Sequence, residues 1–549
     1  MPPRVSLLRP SPTPYDPIDW ALRPLPERAR MVCQAWAREG YGAPLAVYAL
    51  YAVKLAFYAG MWLLFCWRSP ALGGPADIGE WWLRPLAFEK AILWSMLFEG
   101  LGLGCGSGPL TGRYLPPVGG FLYFARPGTT KLPLLPRLPI LGGHRRSWLD
   151  AGLYLGLVAL LVTALVAPGV DRRVLVAIAM LVPIIGLADR TIFLALRAEH
   201  YWTTAVCFAA GGSWIAGAKA VQIALWFWAG FSKLNHHFPH VVCVMTSNSP
   251  VLRFAGLRRR MYRGAPDDLA PSRLAVAMAH AGTALELGVP LVLLLSPGGW
   301  SLVLGLVLML LLHGFITSNV PMGVPIEWNL MVVYGGFALF WAHPGVSVLG
   351  LAGSPALAGF LAVLLIAVPL AGNIAPGRVS FLLAMRYYAG NWAYGVWLFR
   401  GDAHRKLDRL TKSSPWVHDQ LARLYDRPTA VGLVGRAMAF RLMHLHGRAL
   451  PVLIPKAVDR FEEYEYLDGE IVAGLVLGWN FGDGHLHRED LLRAVQDQCD
   501  FAAGEVRCIF VEAQPLGRAT LGYRIHDAAT GLVERGELEV RELRARPPW

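Results

Sequence analysis

The feature that most limits the fold of this chain is its series of apolar runs about as long as a bilayer is thick. A helix needs roughly 20 mostly apolar residues to cross a hydrocarbon core about 30 Å thick. Runs that approach this length occur at residues 44–67, 86–104, 148–167, 174–187, 201–217, 218–234, 274–295, 302–317, 328–341 and 356–370. Because the bilayer offers no water to backbone polar groups, such runs must form helices. The sequence therefore predicts a polytopic α-helical membrane bundle of about ten spans, with a small C-terminal α+β soluble domain.

Composition agrees with a membrane protein and argues against nucleic acid as a partner. The chain is 55% hydrophobic and 16% charged, with a mean hydropathy of +0.41, which is too apolar for an ordinary soluble enzyme. A net charge of +13 could suggest nucleic acid, but the basic residues form short clusters between the apolar runs. We interpret these clusters as signals of membrane orientation and expect membrane lipids, not nucleic acid, as partners.

The hydropathy profile divides the chain into four parts. Residues 1–41 form a polar arm rich in Pro and Arg, and residues 42–400 form a multi-pass transmembrane domain. Residues 401–460 predict an amphipathic helical connector with a break at Pro428, and residues 461–549 predict the α+β domain. In that domain IVAGLVLGW predicts a strand, HREDLLRAVQDQC predicts a helix, and three later alternating runs predict strands.

Two segments of the transmembrane domain have an unusual composition. The loop 102–143 contains so much Gly and Pro that it predicts ordered turns or re-entrant chain packed on the bundle. The segment 379–399 is apolar and aromatic but contains Arg386 and Asn391. It predicts either an eleventh span or a helix that lies in the membrane interface.

The distribution of positive charge predicts an orientation in a cell inner (plasma) membrane. Four arginines just before the first span place the N-terminal arm in the cytoplasm. The basic loop 235–273 also lies inside if residues 201–234 form two spans, but not if they form one. Basic residues at 400–412 favour a cytoplasmic C-terminal domain. Long domains cross largely regardless of charge, however, and on that ground we expect the extracytoplasmic side. On the outer side Cys499 and Cys508 could form a disulfide.

Ionisable side chains inside the apolar runs are the best functional signals, because each costs about 2.5 to 3.5 kcal/mol at a helix centre. These residues are Lys54, Lys219, Lys233, His280, Glu286, His313, Glu327 and Arg386. Each also has a structural interpretation, as a side chain that reaches the interface or as a partner in an interhelical hydrogen bond. No Cys or His residues stand at metal-ligand spacing, so we expect no metal site.

The run AKAVQIALWFWAGFSKLNHHFPH is the most informative of these. Polar and small residues at three- and four-residue steps share one helix face; they are Lys219, Gln222, Trp226, Gly230 and Lys233. His236 and His237 follow and could form a polar mouth at the membrane surface. A lysine held against apolar walls can act as a base, whereas the structural interpretation is that Lys233 only marks the interface.

Neighbouring runs supply further polar residues. Glu286 is a sensible ion partner for one of the lysines, which would make both residues structural. The run around His313 and Glu327 contains prolines, and spans that meet at such a break can build a polar pocket. The complete set of pocket candidates is Lys219, Gln222, His236, His237, His280, Glu286, His313, Asn319, Glu327 and Asn329.

Two of these motifs carry a family resemblance. WFWAGFSKLN, followed by ALELGVPLVLL in the next span, resembles the transmembrane domain of the vitamin K-dependent gamma-carboxylase superfamily, which includes the horizontally transferred transmembrane domain family. Lys233 matches the lysine of the AG-x-x-KL motif. The resemblance implies that Lys233 is a catalytic base.

Longer motifs resemble a second family over most of the chain. They are EGLGLGCGSGPLTGRYLPPVGG, MTSNSP, SNVPMGVPIEWN and GWNFGDGHLHREDLLRAVQDQC. Together they are similar to the bacterial transmembrane proteins known as domain of unknown function 3556. The resemblance implies a multi-pass protein of the cell envelope that is involved with envelope lipids.

These observations leave three functions open. The chain lacks P-loop, GxSxG, HExxH and CxxC patterns, which favours a protein that binds or traffics envelope lipid, or scaffolds its synthesis with other envelope membrane proteins. Such a protein needs no cofactor. The alternative is a membrane enzyme that acts on a quinone or lipid with Lys233 as general base. The third is a proton-coupled transporter, which the intramembrane Glu and His residues suggest.

Overall fold

The computed structural model describes residues 7–252, 254–320, 325–386, 391, 393–482 and 484–549. Among these residues, five helices are long and apolar enough to cross a membrane. They are Leu45–Trp67, Trp148–Val166, Arg273–Leu295, Gly299–Thr317 and Pro355–Ile374. These helices expose large apolar side chains to their surroundings, which suits contact with lipid. The prediction of a helical membrane bundle is confirmed, but the predicted number of about ten spans is not supported by helix length and composition.

The other predicted spans form shorter helices within the bundle. They are Pro85–Gly100, Arg172–Ala188, Tyr201–Ala210, Trp214–Phe231 and Ile326–Gly335, the last of which continues as π-helix to Trp341. Gly211 and Gly212 have positive φ angles and end the third of these helices early. Residues 201–234 therefore contain two helices rather than one.

The remaining helices lie in the N-terminal arm, in loops and in the C-terminal third of the chain. They are Pro17–Ala21, Leu25–Glu39, Ile78–Trp81, Phe121–Phe124, Arg190–Ala195, Phe238–Asn248, Ala255–Arg260, Val417–Ala422, Arg427–Met443, Leu450–Ala457, Gly469–Leu477, Glu489–Cys499 and Val540–Ala545. A short antiparallel pair joins Tyr262–Gly264 to Asp268–Pro271. The connector is interrupted just before Pro428, because helix Val417–Ala422 ends and the next helix begins at Arg427. Pro428 lies in the first turn of that second helix, where its missing N–H costs nothing.

A five-stranded antiparallel sheet forms the core of the C-terminal domain. Its strands lie in the order Tyr464–Asp468, Tyr394–Arg400, Val506–Val511, Thr520–Asp527 and Gly531–Glu539. The last three correspond to the three alternating runs in the sequence, and the helix Glu489–Cys499 is also present. The predicted C-terminal sheet is therefore confirmed.

The second strand of this sheet corrects an expectation. Tyr394–Arg400 lies in the segment that predicted an eleventh span or an interfacial helix. Its first six residues are all buried, so the run is apolar on both faces and its sequence resembles that of a span. Residues 387–390 and 392 of the same segment lie outside the described residues.

The predicted strand IVAGLVLGW is also wrong, because these residues belong to the helix Gly469–Leu477. Asp468 caps its first turn by accepting a 2.8 Å hydrogen bond from the Glu470 backbone N–H. Gly478 ends the helix in the left-handed conformation, at φ 80°. The whole helix is buried, so no polar face marks a helical period in the sequence.

The Gly/Pro-rich loop 102–143 lies between the helical bundle and the C-terminal domain. The Gly106 carbonyl accepts a 2.8 Å hydrogen bond from the Asn480 backbone N–H. The Tyr123 hydroxyl donates to the Leu475 carbonyl at 2.7 Å. The loop thus forms ordered turns, as the sequence predicts, and its hydrogen bonds attach the C-terminal domain to the bundle.

The N-terminal arm packs against the same C-terminal region. Arg436 donates to the Tyr41 carbonyl at 2.6 Å. The ring of Trp20 lies so close to Gly435 that an added Cβ there would be 2.8 Å from it. The two ends of the chain therefore lie on one face of the bundle.

All seven cysteines lie in the described part of the chain, and each is a free, buried thiol. Cys499 and Cys508 are not joined by a disulfide. Their burial also means that an external thiol reagent has poor access to them.

Candidate functional site

The site begins as a gap where five helices meet. A cavity of about 170 Å³ lies among Trp214–Phe231, Phe238–Asn248, Arg273–Leu295, Gly299–Thr317 and Ile326–Gly335. Its walls are mainly apolar, with side chains such as Leu225, Val241, Met245, Met278, Leu312 and Ile316. Its polar lining consists of Lys233, Glu286, His313, Asn319 and Asn329. We call this the Lys233 cavity; it brings together residues that the sequence had proposed separately.

Lys233 and Glu286 form an ion pair on the wall of this cavity. Their side chains are 8% and 6% exposed, so both charges are largely removed from water. Gly230 allows the two helices to approach, because a Cβ there would lie 3.0 Å from the Glu286 Cβ. Glu286 is thus the ion partner of a lysine, as the sequence predicted. Opposite charges that compensate each other in this way make a buried pair tolerable inside an apolar wall.

His313 is held between two neighbours that fix its protonation pattern. The Trp226 indole N–H, which can only donate, lies 2.9 Å from His313 Nε2. Nε2 must therefore accept, and the ring proton sits on Nδ1, which donates to Asn329 Oδ1 at 2.8 Å. Both ring nitrogens are engaged. In this arrangement His313 orients its neighbours and has no lone pair free to accept a proton.

Several pocket candidates lie elsewhere in the bundle. Lys219 Nζ donates to the backbone carbonyls of His343 at 2.8 Å and Val346 at 2.6 Å. Gln222 Nε2 donates to the Val332 carbonyl at 3.1 Å. Both side chains satisfy backbone carbonyls and do not line the Lys233 cavity.

The histidine candidates separate in the same way. His280 and His236 are exposed. His237 is buried, with its ring 5.7 Å from that of His446. None of the three lines the Lys233 cavity.

Glu327 belongs to a second constellation that the sequence analysis only partly identified. It pairs with Lys54 at 3.2 Å and accepts a 2.7 Å hydrogen bond from the Cys105 backbone N–H. Beside it, Arg197 Nε donates to Glu99 Oε1 at 2.6 Å and Arg197 Nη2 lies 3.4 Å from Cys105 Sγ. We call Lys54, Glu99, Arg197 and Glu327 the buried charge cluster.

Sequence reasoning missed Glu99 and Arg197, although Glu99 stands inside a predicted span, where its charge is a signal. It also missed Lys90 in the same run. Lys90 Nζ donates to the carbonyls of Phe65, Leu165 and Ala167 at 2.7 to 2.9 Å. Such carbonyls at helix C-termini carry partial negative charge, so Lys90 has a capping role.

The buried Arg386, a further sequence candidate, donates to the Val379 carbonyl at 3.1 Å. Within the described ranges, no three His, Cys, Asp or Glu side chains are arranged to hold a metal ion. The Lys233 cavity has the lining expected of a site for an apolar molecule with one polar end.

Comparison with known proteins identifies a family. The model of the family described as "Transmembrane protein of unknown function (DUF3556)" matches residues 5–549, which is nearly the whole chain. No curated protein and no solved structure matches the chain. The resemblance of the long motifs is therefore confirmed. The resemblance to the gamma-carboxylase superfamily receives no support and stays a prediction.

Proposed function

We propose that this chain, which belongs to the DUF3556 family of transmembrane proteins, binds the chain of an envelope lipid in the Lys233 cavity. The observation that carries the proposal is an apolar cavity inside the helical bundle whose wall holds one ion pair. In this reading the protein binds or moves lipid in a bacterial cell envelope, or presents it to other envelope proteins.

The polar end of the cavity must supply the preference for a ligand. An acyl chain gains little hydrophobic free energy on moving from the bilayer into an apolar cavity, since both surroundings are apolar. Lys233, Glu286 and Asn319 offer both donors and acceptors at the cavity wall. A lipid headgroup with the complementary groups would be selected there.

The test uses Lys233→Met and the double variant Lys233→Met/Glu286→Gln, which removes the pair without leaving an unpaired charge. A hydrogen bond to a charged group contributes about 1.5 to 3 kcal/mol, so we expect about 10- to 100-fold weaker lipid binding. Mass spectrometry of co-purified lipid, and rebinding to delipidated protein, measure the effect. Arg263→Met, which breaks an exposed ion pair with Asp268, is the control. Wild-type rebinding by the double variant would contradict the proposal.

A membrane enzyme is the second candidate, and the Lys233–Glu286 pair favours it. Its two partners can exchange a proton beside the cavity, whereas both nitrogens of His313 are engaged. In the ion pair Lys233 is an ammonium, so it can act as a base on a quinone or lipid only after its proton passes to Glu286.

Lys233→Arg distinguishes the two functions. Arginine keeps the positive charge but does not lose its proton. If the protein binds lipid, this variant should retain it and complement a deletion strain. If Lys233 is a general base, the variant should lose about 10²- to 10⁴-fold activity and fail to complement.

We also propose that the five shorter helices cross the membrane together with the five long ones, so that both chain ends lie in the cytoplasm. Contacts at the face opposite the termini support this path. Lys90 joins the C-terminal ends of Leu45–Trp67 and Trp148–Val166 there. Arg172 Nε donates to the Ala209 carbonyl at 2.9 Å, which brings the start of one short helix to the end of another.

Charge supports the same orientation. On this path the basic clusters at 113–146, 258–263 and 400–412 all lie on the face of the termini. The connections and helix starts on the opposite face contain only four Arg or Lys residues, Arg68, Arg84, Arg172 and Arg173. The positive-inside rule then places the termini in the cytoplasm, and we propose this side for the C-terminal domain in place of the extracytoplasmic side.

Cysteine labelling tests this orientation. Thr530→Cys places a thiol at an exposed turn of the C-terminal sheet, while the native cysteines are buried. We expect an impermeant maleimide to label it only after permeabilisation. Gly345→Cys, in an exposed connection on the opposite face, should be labelled in intact cells. The reverse pattern would place the C-terminal domain outside.

A further inference from the structure

A second cavity of about 310 Å³ lies on another side of the bundle. Helix Leu45–Trp67, the Gly/Pro-rich loop and helix Arg427–Met443 all contribute to its wall. It shares no lining residue with the Lys233 cavity. We call it the Lys54 cavity.

One wall of this cavity is also the outer surface of a candidate span. Leu50, Val53 and Phe57 line the cavity and are 47%, 66% and 47% exposed. In a membrane-spanning helix, such exposed apolar side chains face lipid. The Lys54 cavity therefore opens toward the bilayer, so a lipid chain can enter without passing through water.

The polar end of the cavity belongs to the buried charge cluster. Lys54 lines the cavity and its side chain is 18% exposed, whereas the other three members of the cluster are at most 1% exposed. Its Nζ lies 3.3 Å from Glu327 Oε1 and 3.2 Å from Oε2. Only the contact to Oε1 is a hydrogen bond, and an ammonium has three N–H donors, so donor capacity remains for a further acceptor. Tyr41 and Tyr114, whose hydroxyls are 3.3 Å apart, line the same cavity.

The charges of the cluster set the chemistry of the acceptor. Two cations and two carboxylates balance each other, and Glu327 is already held by Lys54 and by the Cys105 N–H. The cluster is therefore complete without a ligand. Its contribution to the Lys54 cavity is the ammonium of Lys54, a hydrogen-bond donor in a mainly apolar wall.

We propose that the Lys54 cavity binds the acyl chain of a membrane lipid, with a carbonyl or carboxylate oxygen of that lipid accepting a hydrogen bond from Lys54. This is a second site, independent of the one proposed beside Lys233. A free fatty acid and the ester of a phospholipid share this chemistry, and the experiment separates them.

The experiment is photo-crosslinking of the full chain reconstituted in vesicles. One arm uses palmitic acid with a diazirine in its chain, and the other uses phosphatidylcholine with the same chain. We expect a group of crosslinks on residues 47–57 and 103–118, separate from any at the Lys233 cavity. Lys54→Met should reduce them about tenfold, the size expected for one hydrogen bond to a charged group.

Further variants test the same site without changing its charges, in case Lys54→Met fails to fold. Val47→Trp narrows the cavity and leaves the charge cluster intact, so it should also reduce the crosslinks. Val307→Trp, at a 46% exposed position of another span, should not. Lys233→Met should reduce only the crosslinks at the Lys233 cavity, and Lys54→Met only those on residues 47–57 and 103–118, which separates the two sites.

The crosslinking pattern either identifies the ligand or overturns the proposal. Crosslinking by palmitic acid alone identifies a carboxylate ligand, and crosslinking by both probes identifies an acyl carbonyl. Crosslinks that persist in Val47→Trp, or that spread evenly over the exposed faces of the other spans, would overturn the proposal.

Discussion

Arg197→Met should cost about 3 to 5 kcal/mol of folding free energy, because it leaves the Glu99 carboxylate buried without its partner. The side chains of Arg197 and Glu99 are 0% and 1% exposed, so water cannot replace the lost contact. The guanidinium also lies 4.3 Å from the ring of Trp328 and 4.4 Å from that of Phe481. Methionine fills this aromatic gap but cannot neutralise the carboxylate. The loss should appear as a lower thermal transition of the detergent-solubilised protein, followed by size-exclusion chromatography after heating.

The double variant Arg197→Met/Glu99→Gln shows whether the unpaired charge is the cause. It removes both charges and should recover a large part of the loss, since neutral replacements of a buried pair are often tolerated. Arg23→Met is the control, because its ion pairs with Asp19 and Glu27 are exposed and screened by water, so their loss should leave the thermal transition nearly unchanged. A double variant as unstable as Arg197→Met would mean that packing, and not charge, dominates here.

The sequence predicts the apolar helices well because their length and composition reflect the bilayer directly. It predicts poorly where a segment is buried on every side. Tyr394–Arg400 is a strand and Gly469–Leu477 is a helix, yet both have the continuous apolar composition of a buried element. Periodicity carries no information when no face meets water. Only the packing of the C-terminal domain distinguishes the two.

The ion pair of the candidate site could be predicted from the sequence, because a buried charge needs a partner of opposite charge. A lysine and a glutamate in neighbouring apolar runs predict an ion pair, and Lys233 and Glu286 form one. The sequence does not reveal which lysine pairs with Glu286. The close approach of two helices at Gly230 selects Lys233. Lys219 instead meets backbone carbonyls of a distant loop. Contacts of that kind leave no pattern in the sequence, because every residue has a carbonyl.

Gly119→Ala should disrupt the interface between the Gly/Pro-rich loop and the C-terminal domain. A Cβ at this position would overlap the carbonyl oxygen of Gly478 and would lie 2.5 Å from Arg113 Nη2. The Gly478 carbonyl also accepts a 3.1 Å hydrogen bond from the Gly120 N–H, so relief of the overlap breaks that contact. Overpacking costs about 1 to 3 kcal/mol where side chains can adjust, and this position should be worse because the nearest atom is a backbone carbonyl oxygen. We expect a sharp fall in the yield of monodisperse protein and faster proteolysis within residues 101–147.

Gly108→Ala, in the same loop, is the matched control. Its added Cβ would lie 3.5 Å from the Pro117 carbonyl oxygen, which is ordinary van der Waals contact. Neither glycine has a positive φ angle, so an alanine is free of backbone strain at both positions. The two variants thus differ only in what the methyl group meets. Equal yields and equal proteolysis of the two variants would contradict the prediction. They would show that close contact between the loop and the C-terminal domain at Gly119 is not needed for stability.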